Sequence, residues 1–193
     1  MPTTEPPFLM HSVLSDVVTP VALFHRLSQL EPYAFLLEST EGDTRLARYS
    51  FLGVDPVVTV AFRDGTATLE YRQEGRTEQR PFNDPLTLLR DELAKRPVSQ
   101  SEAARALPFA GGWVGYMGYA ATRYFDGIPQ QEADPTEVPE GYSGLYDTVL
   151  MFDHLLRRLT FISHRERGEA EALWQHTMQP LQSGDEMQPL PLD

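Results

Sequence analysis

The chain has 193 residues, 41% of them hydrophobic, enough to bury a core, and a formal net charge of −12. A field of that sign repels phosphate backbones and anionic lipid, and basic residues come only in short pairs such as Arg157-Arg158, so nucleic-acid and membrane-surface binding are excluded. Cysteine is absent, which rules out disulfides, thiolate catalysis and cysteine metal sites; no apolar run nears the ~18–20 residues that span a bilayer, and the Pro-rich, acidic start is no secretory signal, so a soluble cytoplasmic protein is expected.

Residues 1–10 read as a loose lead-in. Thr19-Pro20 is a helix start, with a capping hydroxyl and a proline at the first helical position. Leu23, Phe24, Leu27 and Leu30 then form one stripe that ends before Pro32. Strands are expected at 33–38 and 49–54, with Asp55-Pro56 as a break. Val57–Phe62 is β-branched and aromatic, Asp64-Gly65 favours a tight hairpin turn, and Thr66–Tyr71 alternates as the returning strand. Glu74-Gly75 marks one more reversal.

Asp84-Pro85 repeats the cap-plus-proline signal for a helix reaching about Arg96. Residues 97–107 read as a surface loop, 109–119 as a Gly- and aromatic-rich strand, and 120–125 as a short helix. Pro, Gly and acidic residues make 127–144 a long exposed loop. Tyr146–Phe152 and Arg158–Ser163 form a hairpin around Asp153-His154. A last helix over about 167–179 sets Ala170, Leu173, Trp174, Met178 and Leu181 on one side, before a linker-like tail at 180–193. Hairpins punctuated by helices argue an α+β fold with largely antiparallel sheets.

The segment most suggestive of function is 36–55. An apolar run stops at Glu38-Ser39, a polar turn follows, and a second run opens at Arg48-Tyr49-Ser50. Paired strands would bring Glu38, Ser39, Tyr49 and Ser50 together at one end. A carboxylate, two hydroxyls and a phenol beside Leu37 and Phe51 suit a small zwitterion with an apolar side chain, because Glu38 can meet an ammonium group by a charge-assisted bond. By themselves these residues also fit two strands that end in ordinary solvated polar groups, the commoner case at strand ends.

Gly112, Gly115 and Gly118 recur every third residue, but neither the dinucleotide nor the P-loop pattern is present. They read as a strand packed closely under another layer, with Trp113, Tyr116 and Tyr119 in core or interface. The five histidines share no metal-ligand spacing and read as surface or capping residues, His154 in a turn among them. No catalytic constellation is visible.

Leu36-Leu37-Glu38-Ser39, then Arg48-Tyr49-Ser50-Phe51-Leu52-Gly53-Val54-Asp55-Pro56, then Gly111–Tyr119 with Arg123-Tyr124-Phe125, together resemble the N-terminal region of anthranilate synthase component I. The resemblance covers roughly residues 10–165. It implies a layered α/β/β/α fold of packed antiparallel sheets, with residues 11–179 as the N-terminal domain. For the complete enzyme it implies conversion of chorismate and ammonia or glutamine to anthranilate and pyruvate, the entry to tryptophan biosynthesis. It also implies feedback inhibition by tryptophan, bound partly at Leu37, Glu38, Ser39, Tyr49 and Ser50. The implied partners are a C-terminal chorismate-binding region, which uses Mg2+, and a glutamine amidotransferase subunit.

This chain has Ala120 where family members often carry Asp, which weakens a local helix cap. The chorismate and Mg2+ half of the family has no counterpart here, so the chain is expected to be a fragment that is inactive alone, with no catalytic residue and no cofactor of its own. Two alternatives remain from the sequence: the similar N-terminal region of aminodeoxychorismate synthase component I, and a free-standing small-ligand or interaction module.

Overall fold

The computed structural model describes residues 6–16, 18–38, 48–96, 99, 101–126 and 138–182. The chain divides into two compact units. The first combines Met1–Asp55, Ser99–Ala110 and Thr148–Asp193, and the second combines Pro56–Val98 and Gly111–Asp147. Each holds one five-stranded, wholly antiparallel sheet, giving an α+β fold.

The sheet of the first unit contains β1 (Leu9–Leu14), β2 (Phe35–Leu37), β3 (Tyr49–Gly53), β9 (Thr148–Asp153) and β10 (Arg158–Ser163), in the order β1-β10-β9-β3-β2. Its helices are α1 (Pro20–Leu30), α3 (Glu102–Arg105) and α5 (Arg167–Gln182). Thr19 caps α1 as expected, its hydroxyl accepting the N–H of Ala22 at 3.1 Å. Leu23 and Leu27, one turn apart on α1, meet Leu52, Leu150, Phe152, Leu159 and Phe161 in the core, and Leu173, Trp174 and Met178 of α5 pack against it. The break after β3 has a definite cause. Asp55 adopts a left-handed backbone (φ 52°), and Arg165 holds both its carboxylate (3.0 Å) and its carbonyl (2.9 Å).

The sheet of the second unit contains β4 (Val58–Arg63), β5 (Thr66–Tyr71), β6 (Arg76–Pro81), β7 (Gly112–Met117) and β8 (Gly141–Tyr146), in the order β6-β5-β4-β8-β7. Asp64 and Gly65 both have positive φ (48° and 73°), the two-residue turn that matches strand twist. Helix α2 (Pro85–Ala94) starts on the Asp84 carboxylate, which accepts the Leu86 N–H at 2.9 Å and the Thr87 hydroxyl at 2.6 Å. Val58, Val60, Phe62, Leu69, Phe82, Leu89 and Leu145 form the core. After β7 come a 3-10 turn (Tyr119–Thr122) and α4 (Arg123–Asp126).

Several expectations are corrected. β8 replaces the end of the supposed 127–144 loop, and Tyr146 ends β8 rather than opening the later hairpin. Gly141 in that stretch is a packing position, since a Cβ there would meet Met117 at 2.5 Å; Gly115 on the facing β7 shows the same closeness, since a Cβ there would run into the Tyr142 carbonyl oxygen and lie 2.5 Å from Ser143 Cα. β7 is an edge strand. Trp113 packs on the core and donates from Nε1 to the Leu89 carbonyl (2.9 Å), whereas Tyr116 and Tyr119 are exposed, which removes the core alternative for these two and leaves the interface one. β1 begins at Leu9, inside the supposed lead-in, and alternates in burial against β10. A one-turn helix, α3, interrupts the supposed 97–107 loop, and α5 runs on to Gln182; the rest of the tail lies outside the described residues.

Candidate functional site

The candidate site lies in the first unit, where β2 ends and β3 begins. The strands pair Phe35 with Gly53, Leu36 with Leu52 and Leu37 with Phe51. The same register carried one residue further sets Glu38 opposite Ser50. On the other side of β3, Tyr49 pairs with Asp153 and Ser50 with Phe152 of β9.

Side chains alternate between the faces of a sheet. Leu36 and Leu52 point to the core packed by α1 and α5, so Glu38 and Ser50 share that face. Leu37, Tyr49 and Phe51 share the opposite one. The predicted site residues therefore come together at one end of the sheet, but on two faces. Ser39 and residues 40–47 lie outside the described residues.

Each residue has a distinct setting. Glu38 is exposed, and Leu37 is 47% exposed although it sits on a strand. Tyr49 is half-buried; its ring lies 6.2 Å from that of Phe51, which meets Phe109 edge-on at 5.4 Å. The Arg48 guanidinium lies 4.8 Å from the centre of the Tyr49 ring. This face is an aromatic shelf with an exposed aliphatic edge. Ser50 is fully buried, and its hydroxyl is 2.7 Å from Nε2 of His154.

His154 also reaches this end of the sheet, a meeting that reading the chain did not reveal. It sits in the turn between β9 and β10, and only the pairing of β3 with β9 brings it to Ser50. The turn is firmly held. Asp153 Oδ1 accepts the N–H groups of Leu155 (3.1 Å) and Leu156 (3.0 Å), and the His154 N–H donates to the Arg48 carbonyl at 2.9 Å. Burial pushes the Asp153 carboxyl up, but the Arg48 guanidinium and those backbone donors outweigh it and hold the group below the usual carboxylate range. The opening of β3 is thus locked to a turn about a hundred residues away.

The Gly111–Tyr119 and Arg123-Tyr124-Phe125 segments serve structure in the second unit. The Tyr124 hydroxyl donates to Glu140 at 2.6 Å and accepts the Gly65 N–H at 2.9 Å, and Arg123 lies 2.5 Å from Glu140. This cluster ties the short helix to the β4–β5 turn and to the approach to β8. Among the described residues no group of three or more His, Asp or Glu could hold a metal ion, and no helix is long and apolar enough to cross a membrane.

The family model for chorismate binding enzymes matches residues 31–192. The chain belongs to the chorismate binding enzyme family. Among relatives in this family, it is 37% identical over 147 residues to anthranilate synthase component 1 of Methanothermobacter thermautotrophicus, covering 76% of this chain and 29% of the relative. It is 35% identical over 159 residues to anthranilate synthase component 1 of Synechocystis, covering 81% of this chain and 30% of the relative. The chain thus spans under a third of the length of these chorismate binding enzymes. The crystal structure of anthranilate synthase component I from Streptococcus pneumoniae superposes with a TM-score of 0.56 at 24% identity, over 93% of this chain and 37% of that one, which establishes the shared fold. The resemblance carried by the three motifs is met in both sequence and fold.

Proposed function

We propose that this chain is the N-terminal regulatory region of an anthranilate synthase component I and supplies part of its tryptophan site. The observation that carries this reading is the convergence of Leu37, Glu38, Tyr49 and Ser50 at one end of the paired β2 and β3, in a chain similar over most of its length to proteins named anthranilate synthase component 1. Exposed Glu38 is suited to an ammonium group, and exposed Leu37, its neighbour on the edge strand β2, to apolar contact. Ser39 follows Glu38 directly and completes the proposed set.

In the complete cytoplasmic enzyme, a C-terminal region with Mg2+ would act on chorismate, and a glutamine amidotransferase subunit would supply ammonia. The product would be anthranilate, with release of pyruvate. The described residues hold no acidic cluster for Mg2+, so neither the metal nor a catalytic step is assigned to them. With only part of the effector site in this chain, tryptophan binds it alone at about 1 mM or weaker, a binding free energy near −4 kcal/mol.

The test is reconstitution with a separately produced chorismate-binding region. The expected result is chorismate-dependent formation of 2-aminobenzoate that L-tryptophan suppresses. Formation of the 4-amino isomer would instead assign the chain to aminodeoxychorismate synthase. No activity in any combination, with no tryptophan binding, would favour a free-standing module.

A further inference from the structure

We infer that His154 is a further effector-binding residue, the partner of the amino acid's carboxylate, with buried Ser50 as its positioning residue. This rests on the tryptophan-site reading above and extends it to a residue that reading does not contain.

The argument starts from accessibility. Ser50 is 0% exposed, so its hydroxyl meets the imidazole and not solvent. His154 is exposed, and its Nε2 is engaged by Ser50 at 2.7 Å while Nδ1 has no partner among the described residues. Taking the Ser50 hydroxyl as the donor to Nε2 places the proton of the neutral ring on Nδ1, the tautomer that the nitrogen spectrum below reads. Nδ1–H is then an outward donor of fixed direction, suited to a carboxylate.

The hydrogen bond is not required to hold the turn. Arg48 with Asp153, the His154 N–H on the Arg48 carbonyl, and the Leu155 and Leu156 N–H groups on Asp153 already do so.

The second strand of the argument is spacing. Glu38 precedes the turn on one side of Ser50, and His154 follows Phe152 on the other. On this face Ser50 stands in the middle strand, with Phe152 opposite it on β9 and the imidazole one diagonal step on, where His154 lies opposite Arg48. Glu38 and His154 lie two strand spacings apart and are offset by two residues along the strands, about 12 Å between backbones. A zwitterion with a hydrogen bond at each end, ammonium to Glu38 and carboxylate to His154, spans about 8–9 Å, a gap the two side chains close by leaning inward. The pair therefore selects α-amino acids over amines or acids that carry one of the two groups.

The test compares L-tryptophan with tryptamine, which lacks the carboxylate, on the 193-residue chain by NMR titration. His154→Leu is expected to weaken L-tryptophan about tenfold and tryptamine less than about twofold, the loss of one charge-assisted bond. Ser50→Ala is expected to shift affinity in the same selective way, and His154→Gln, which keeps a donor, to recover part of the loss. Independently of any variant, the long-range 1H–15N spectrum of wild-type His154 is expected to show the proton on Nδ1 and to move on adding L-tryptophan but not tryptamine. Histidine signals that stay still at saturating tryptophan overturn the role of His154. So does a Glu38→Gln variant that loses affinity while His154→Leu keeps it, and that outcome leaves the tryptophan site standing. Wild-type chain that fails to bind tryptophan at any concentration overturns both.

Discussion

The Arg48 guanidinium holds the Asp153 carboxylate at 2.6 Å through Nη2 and 3.1 Å through Nε, across 105 positions of sequence. The Asp153 side chain is 6% exposed, so this is a charge removed from water and answered by a planar two-pronged donor. Arg48→Ala leaves a buried carboxylate with backbone donors alone. The expected result is a lower midpoint in urea unfolding, with weaker tryptophan binding because β3 then starts in a less defined position. An unchanged midpoint would mean that the turn does not depend on the pair.

In the second unit, Glu92 is 2% exposed and accepts from Arg80 and Lys95, each at 2.5 Å, and from the Tyr71 hydroxyl at 3.1 Å. Burial pushes its carboxyl up, but these donors outweigh burial and hold it below the usual range. A carboxyl whose folded pKa lies below its unfolded value stabilises the fold above the unfolded pKa, about 4.3, and loses that stabilisation as pH falls through the folded value. Glu92→Gln is therefore expected to cost about 2–3 kcal/mol near pH 7, with the difference shrinking as pH drops below about 4. Urea unfolding of both proteins across that range checks the sign. A gap that widens on acidification would contradict it.

Two glycines differ in cost for a visible reason. Gly65 needs its positive φ of 73° but faces open space, so Gly65→Ala is expected to lose about 1 kcal/mol. At Gly115 an added Cβ meets the backbone of Tyr142 and Ser143, which no rotamer change relieves. Gly115→Ala is expected to cost about 3 kcal/mol or more and to raise hydrogen exchange along β7 and β8. Equal losses at the two sites would show that β7 sits further from β8 than described.

Regulation and catalysis are expected to separate. If the proposed effector site holds, Ser39→Ala in a complete enzyme carrying this chain would remove a hydrogen bond to tryptophan and none to chorismate. It is expected to raise the half-inhibiting tryptophan concentration about tenfold while kcat changes less than about twofold. Steady-state kinetics with and without tryptophan decide. Unchanged sensitivity would remove Ser39 from the effector site.

Local chemistry was legible wherever one short stretch contained its own cause. Thr19-Pro20 and Asp84-Pro85 announced α1 and α2 because cap and proline act within a single turn. Asp64-Gly65 announced the β4–β5 hairpin because positive φ is a property of those two residues. The amphipathic spacing of α1 and α5 was readable for the same reason. What escaped was set by distant partners. β8 looked like loop because its glycines are explained only by how closely β7 and β8 pack, and β1 looked like a lead-in because its partner β10 follows some 150 residues later. His154 sits in the turn the sequence predicted, but its meeting with Ser50 depends on β3–β9 pairing. The sequence determined which residue types stand at the end of β2 and the start of β3. Tertiary structure alone decided their faces and brought an imidazole onto Ser50, since strand alternation and β3–β9 pairing are relations between segments that the chain order keeps apart.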